Sequence, residues 1–177
     1  MTKPKIQHML LCSMFTALTA VLSQIALPIG PVPINLGTFA VFCAGALLGA
    51  RSAALSLGLW AALGAFGVPV FAMFQSGLGA LAGPTGGYII GYIPAAYIIG
   101  LLTEKTKPPI YIPAMVLGMA AYFTMGTAWF IASTGSKLFE ALWICVIPFI
   151  PGELIKISAA VLTARRLYPV LSSIYAD

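Results

Sequence analysis

The chain has 177 residues, 60% of them hydrophobic and 7% charged, with a formal net charge of +5 and a mean hydropathy of +1.02. Soluble domains run about 45–50% apolar and about 25% charged, so this chain has too few polar side chains to cover a water-exposed surface. The composition predicts one integral membrane domain, residues 1–177, in contact with lipid. Cations scattered at chain ends and loops form no basic stripe for nucleic acid.

Lys3 and Lys5 precede an apolar run over residues 9–27. It is long enough to cross a bilayer and lacks a clear A-x-A cleavage site, which predicts a first helix rather than a signal peptide. Pro28, Pro31 and Pro33 with Gly30 end it in a turn. Helices follow at 36–50 and 53–66, both short against the roughly 20 residues needed to span hydrocarbon. The segment 67–87 holds Pro69, Pro84 and six glycines, yet Val68, Val70, Phe71, Met73, Phe74, Leu78 and Leu81 keep it apolar. Irregular backbone at membrane depth is tolerated where it is buried or lines a cavity, so this stretch is expected to fold back as a lid.

Helices at 88–102 and 110–132 are separated by the polar connection Glu104-Lys105-Thr106-Lys107-Pro108-Pro109. After a turn at 133–137, residues 138–167 form a thirty-residue stretch. At 1.5 Å per residue it would be about 45 Å long, too much for one straight crossing, so a break is expected at 148–152. The fold class is all-α, a bundle of six transmembrane helices with an apolar, Gly-rich external lid between the third and fourth. With both termini cytoplasmic, the inner face carries Lys3, Lys5, Arg51, Lys105, Lys107, Arg165 and Arg166, against Lys137 on the outer face; basic residues in short loops mark the inside.

Pro148-Phe149-Ile150-Pro151-Gly152-Glu153-Leu154-Ile155-Lys156 carries the chemistry. Glu153 and Lys156, spaced i and i+3, share a helix face. A charge at bilayer centre costs roughly 2.5–3.5 kcal/mol on insertion scales, so the pair must face inward, pair together or meet a polar ligand. In water the bland reading, a helix-stabilising ion pair, would prevail; in a bilayer an intramembrane charge marks function.

Gly83-Pro84-Thr85-Gly86-Gly87-Tyr88 leads into the fourth helix. It suits either a turn with close helix packing or backbone N–H groups approaching a ligand. Without a Lys-Ser/Thr ending or a preceding strand it is not a phosphate-binding Walker loop. Gln75 and Asn35 suit backbone capping or ligand contact alike, and Tyr88 and Tyr92 suit an apolar pocket wall or a membrane belt. Small residues pair at four-residue spacing in the first helix, Ser13 with Ala17 and Thr16 with Ala20, fitting internal packing or an external partner helix. Cys12, Cys43 and Cys145 lack metal or redox spacing and read as small apolar residues. His8 stands alone where chain meets membrane, and no metal site assembles around it.

Across nearly its whole length the chain resembles the BioY family, the biotin-specific substrate-capture (S) components of energy-coupling-factor (ECF) vitamin transporters. The resemblance rests on Pro31-Val32-Pro33-Ile34, Ala44-Gly45-Ala46-Leu47-Leu48-Gly49, Gly77-Leu78-Gly79-Ala80-Leu81 running into the Gly83–Tyr88 motif, and the stretch from Pro148 to Lys156. Two features depart from the family pattern. Glu153 stands where Asp is common, and Ile34-Asn35-Leu36-Gly37-Thr38 lacks the family's glutamine.

The resemblance implies a cell-membrane protein, not an enzyme and without a resident cofactor, that captures biotin from outside. It implies partnership with a transmembrane coupling subunit and two ATP-hydrolysing subunits. Glu153 could accept the ureido N–H groups and Lys156 could donate to the ureido oxygen or hold the carboxylate tail. Gln75, Asn35, Tyr88, Gly83, Thr85, Gly86 and Gly87 complete the expected site; Ser13, Thr16, Ala17 and Ala20 are the expected coupling surface. Rival readings are capture of another vitamin on the same architecture, an intramembrane enzyme using Glu153, and a ligand-free scaffold. Lys156 argues against a cationic ligand such as thiamine. No histidine is placed to activate Ser158 one turn after Glu153, and a scaffold needs no lid.

Overall fold

The computed structural model describes residues 3–28, 31–106 and 110–176. Helix α1 (Lys3–Gln24) begins at the basic residues themselves. Pro4 sits in its first turn, where the missing N–H would have had no partner. Beyond α1 the proline-rich turn is a small hairpin rather than plain coil. Strand β1 (Ala26–Leu27) pairs antiparallel with β2 (Ile34–Asn35), with Ala26 opposite Asn35 and Leu27 opposite Ile34. The Leu36 N–H extends the pairing to the Ile25 carbonyl at 3.1 Å.

Helix α2 (Gly37–Leu48) follows at once and is buried continuously from Ala40 to Leu48. Gly49, at φ 78°, turns the chain into α3 (Ala50–Ala65). The segment after α3 contains a 3-10 turn, Ala72–Phe74, and the five-residue helix α4 (Leu78–Ala82). Helix α5 (Gly86–Lys105) and helix α6 (Tyr111–Thr134) come next. The connection between them falls partly on residues 107–109, outside the described residues. Helix α7 (Leu138–Cys145) and helix α8 (Ile150–Ala176) close the chain.

The described residues thus form eight α-helices, where six were expected, plus one two-stranded hairpin. α4 accounts for one extra helix. The other comes from the expected interruption of the last span, where α7 and α8 meet at 50°. The break lies at residues 146–149, slightly earlier than expected. Pro148 cannot donate to the preceding turn, whereas Pro151 and Gly152 belong to the first turn of α8, where a proline is tolerated. By length and composition α1, α5 and α6 can each cross a membrane, and the bent α7–α8 pair makes a fourth candidate. At 12 and 16 residues, α2 and α3 are shorter than a full crossing.

The exterior is apolar. Leu10, Ile155 and Phe139 are 65, 71 and 73% exposed, as suits hydrocarbon rather than water. Small residues bring the interior helices together, because backbones approach closely where side chains are absent. Gly100 of α5 lies so close to the α2–α3 turn that a Cβ on it would stand 2.4 Å from the Ala50 nitrogen and 2.5 Å from the Gly49 carbonyl carbon. Helix α2 packs against α1, α3, α5 and α8, so this short buried helix is the axis of the bundle.

Gly100→Val should therefore lower stability by about 1–3 kcal/mol, the usual range for overpacking, because backbone rather than a movable side chain blocks the new methyls. Gly58→Val, on α3 with nothing within 4 Å of a Cβ, is the control. Thermal unfolding in detergent should show a lower Tm for the first and little change for the second.

Candidate ligand-binding site

The intramembrane charges sit in the first turns of α8, where Glu153 also benefits from the helix N-terminal dipole. Glu153 and Lys156 are 2% and 7% exposed. The ammonium donates to Glu153 Oε1, to Thr38 Oγ1 at 2.6 Å and to the Asn35 carbonyl at 2.9 Å. Thr38 in turn donates to Glu153 Oε1 at 3.0 Å. A lysine has three N–H donors, and all three are engaged. The acid–base pair thereby ties α8 to the hairpin and to the first turn of α2.

Glu153 Oε2 has no partner, although it is buried. It borders an internal cavity of about 50 Å³, room for a few waters at the roughly 10–15 Å³ each requires. Seven aromatic side chains contribute to the wall. Trp60 stacks on Tyr92 at 5.7 Å and meets Phe71 edge-on at 5.2 Å, while Tyr92 meets Tyr122 edge-on at 5.5 Å. Phe123 and Phe149 close the side toward α6 and the helix break. Two other cavity-lining polar atoms, Ser23 Oγ and Tyr122 Oη, are also buried without a partner.

The segment from Val68 to Gln75 covers one side and is pinned at several points. Phe71 fills the space a side chain at Gly64 would need, with ring atoms 2.1–2.6 Å from where a Cβ would lie. Trp60 Nε1 donates to the Val70 carbonyl at 3.1 Å, and Gly77 N–H donates to the Gly64 carbonyl at 2.7 Å. From α1, Gln24 accepts from Phe74 N–H at 2.9 Å and donates to the Pro69 carbonyl at 3.3 Å. Met73 and Phe74 adopt φ values of 58° and 59°, a region that costs a non-glycine residue of order 1–3 kcal/mol.

Of the residues expected at the site, Glu153, Asn35, Gln75, Thr85 and Tyr88 border the cavity, and Lys156 stands behind Glu153 without bordering it. Gln75 and Thr85 also border an outer cleft beside Pro31 and Gly83, so they stand between the inner cavity and the exterior. Tyr88 is 7% exposed, with its hydroxyl 3.2 Å from Thr127 Oγ1, which makes it an interior wall residue and not a belt residue. Tyr92 is likewise interior.

The glycines fall elsewhere. The Gly83 carbonyl accepts from Trp129 Nε1 at 2.9 Å, and Gly86 N–H donates to the Gly83 carbonyl at 3.0 Å. A Cβ on Gly86 would lie 1.7 Å from the Leu81 carbonyl, and one on Gly87 would lie 2.2 Å from Trp129 Cβ. Gly83, Gly86 and Gly87 are accounted for by the turn and by helix packing. Gly37, in the stretch that lacks the family's glutamine, has no room for a side chain. A Cβ there would lie 2.6 Å from Ser23 Oγ and 2.8 Å from Asn35 Oδ1, and Asn35 Oδ1 accepts from the Gly37 N–H at 2.8 Å.

The expected coupling stripe on α1 divides. Thr16 is buried against α3, bonding the Ser56 carbonyl at 3.0 Å and the Ser56 hydroxyl at 3.2 Å, and Ala20 packs on the core. Of the two alternatives for this stripe, Thr16 takes internal packing, a correction to its place on the expected coupling surface, while Ala20 packs on the core and stays partly exposed. Ser13 and Ala17 are exposed. The sequence reading missed Ser23, Thr38, Trp60 and Tyr122 as cavity residues. Lone polar or aromatic residues in apolar helices carry no mark of which face they occupy, so only the assembled bundle distinguishes them.

A helical bundle with an apolar exterior, a buried acid–base pair and an aromatic-walled cavity defines a membrane-embedded protein that binds a small polar–apolar molecule. The match to the BioY family covers residues 1–173, and the chain belongs to that family. It is 38% identical to a probable biotin transporter BioY of Pyrococcus horikoshii over 163 residues, covering 92% of this chain and 97% of that one. It is 36% identical to the biotin transporter BioY of Thermotoga maritima, covering 91% and 95%. A crystal structure described as the S-component for biotin from an ECF-type ABC transporter superposes with a TM-score of 0.88 at 30% identity, covering 94% of each chain.

Removing Lys156 alone leaves a buried carboxylate uncompensated, which costs about 3–5 kcal/mol. Lys156→Ala should therefore melt well below the parent in detergent. The double variant Glu153→Gln/Lys156→Met, which removes both charges, should recover part of that loss; a strictly additive pair of losses would show that the two charges do not act together.

Proposed function

We propose that the chain is the biotin-capturing S component of an ECF transporter, taking biotin from outside the cell membrane and passing it inward with ATP-hydrolysing partners. The observation that carries this is Glu153 Oε2, a buried carboxylate oxygen without a partner in an aromatic-walled cavity. Biotin offers N–H donors from its ureido group and an apolar fused ring, and small-molecule sites are mostly apolar with a few placed polar groups. Glu153 accepts a ureido N–H, and the stacked Trp60 and Tyr92 cover the ring. Lys156, its donors engaged, fixes the carboxylate in place instead of holding either end of the ligand. The carboxylate tail points toward Gln75 and Thr85, where the inner cavity meets the outer cleft.

The family relationship and its biotin-transporter relatives support the substrate and the transporter context. The chain crosses the membrane six times, with α2 and α3 as short tilting-limited spans and α7–α8 as one broken span. Both termini face the cytoplasm, as the distribution of basic residues favours. The 67–87 segment acts as an outer lid. A 50 Å³ cavity is too small for a bicyclic ligand, so loading requires the segment around Phe71 to move outward. The strained backbone at Met73 and Phe74 is suited to that role, since such strain clusters at ligand clamps. The exposed face of α1 at Ser13 and Ala17 meets the transmembrane coupling subunit, which two ATP-hydrolysing subunits drive.

Equilibrium titration of the purified protein tests the capture step. Wild type should bind biotin tightly, and riboflavin or thiamine should not compete. Glu153→Ala and Lys156→Ala should each weaken binding by at least about 100-fold, the loss expected for breaking a desolvated charged contact. Unchanged affinity in both would overturn the assignment. Ala17→Leu should leave biotin titration intact while abolishing ATP-driven uptake in cells carrying the coupling subunits. Loss of both, or of neither, would remove α1 from the coupling surface.

A further inference from the structure

Each hydroxyl along α1 except one bonds the carbonyl four residues back or nearby groups. Ser13, Thr16 and Thr19 bond Met9, Cys12 and Phe15 at 3.0, 2.9 and 2.7 Å. Ser23, 1% exposed, makes no such bond, and its Oγ has no partner. The same contrast appears between two of the cavity tyrosines, Tyr88 on α5 and Tyr122 on α6. Tyr88 meets Thr127 through its hydroxyl, whereas the Tyr122 hydroxyl, 2% exposed as a residue, has no well-formed hydrogen bond, the Glu153 carboxylate being the charged group beside it. Both orphan hydroxyls border the cavity that Glu153 Oε2 borders, and these three are the unpartnered buried side-chain atoms among the described residues.

Buried polar groups without partners are rare, and each calls for an explanation. Three converging on one cavity are a single explanation: a ligand supplies what the protein withholds. Their chemistry specifies its pattern. An ionised carboxylate oxygen only accepts, while serine and tyrosine hydroxyls can donate. Gly37 keeps the Ser23 hydroxyl uncovered, since any side chain there would stand 2.6 Å from it.

We propose that Ser23 and Tyr122 are specificity-determining residues whose hydroxyls donate to the carbonyl oxygen of the ligand's cyclic urea while Glu153 Oε2 accepts from its N–H. This rests on the biotin reading above. The arrangement selects a ring that presents a carbonyl acceptor beside an N–H donor, and it rejects a ring whose acceptor has been replaced by a donor. Sites built to hydrogen-bond a substrate group discriminate strongly against analogues that lack it, because their polar groups are then left unpaired.

The test uses the full-length protein in detergent, with wild type, Ser23→Ala, Tyr122→Phe and the double variant. Two probes are titrated at neutral pH: biotin, and 2-iminobiotin, whose protonated imine replaces the carbonyl with donors only. Wild type should prefer biotin by at least about 100-fold. The double variant should lose biotin affinity at least about tenfold, keep its 2-iminobiotin affinity within about threefold, and so narrow the preference. Because each substitution removes an unsatisfied buried group, ligand-free Tm should stay level or rise in both single variants, while the rise in Tm on adding biotin should shrink. Equal loss for both probes, no loss for biotin, or a fall in ligand-free Tm would each overturn the assignment. If wild type binds biotin and the variants match it, only this inference fails. If wild type binds no biotin, the functional reading fails with it.

Discussion

The knot at Lys156 holds the site together. One ammonium joins a backbone carbonyl of the hairpin, a hydroxyl in the first turn of α2 and a carboxylate in the first turn of α8. A charge that far from water cannot be left alone, so the three elements are positioned by the same need. The hairpin gives Asn35 a fixed place, α2 presents Thr38 inward because its whole face is buried, and the break before α8 puts Glu153 at the cavity wall. If any one were displaced, the ammonium would lose a partner and the carboxylate its orientation.

Around that knot the bundle follows from small residues and short lengths. A twelve-residue helix spans about 18 Å, so α2 ends inside the protein, and its ends are met by the hairpin on one side and by Gly49 on the other. The Glu104 side chain occupies the space beside Gly49, with its oxygen 1.9 Å from where a Cβ would lie. The positive φ at Gly49 and the close approach of Gly100 let α5 reach the same turn. These contacts fix the far end of α2, so the polar end at Thr38 is held by both packing and hydrogen bonds.

Much of this was legible in the sequence because membranes make certain residues expensive. Two charges in an apolar run, a proline pair upstream of them and a stretch too long for one crossing pointed to a broken helix with a buried pair, and the structure has both. The 67–87 segment was expected as irregular backbone, and it instead includes the 3-10 turn at Ala72–Phe74 and helix α4, which its glycines and prolines do not announce. What escaped were features set by helix rotation and tertiary distance. Thr16 and Ala17 are adjacent, and only the phase of α1 decides that Thr16 faces Ser56 while Ala17 faces outward. Gly86 and Gly87 resemble a ligand-approaching loop in sequence, but the neighbours that require glycine there, Leu81 and Trp129, are known only from packing. The spacing of Glu153 and Lys156 showed that they share a face, but not that Thr38 and Asn35 would use up the ammonium's remaining donors.

That saturation changes how the site divides its labour. A lysine with all three donors engaged acts as scaffold and counter-charge, and the buried polar atoms that remain open at the cavity are Glu153 Oε2 and the hydroxyls of Ser23 and Tyr122. Satisfying Glu153 Oε1 completely while leaving Oε2 bare costs stability in the empty protein, as do the orphan hydroxyls of Ser23 and Tyr122, at about 1–3 kcal/mol for each unmet group. Burial of Trp60, Phe71 and Tyr92 around them offsets that cost. The empty cavity is thus less stable than a fully paired core would be, and a ligand able to pair all three atoms gains what the protein has left unmade. Differences of this kind between empty and filled states, rather than the contacts of either alone, set how tightly a site holds its ligand.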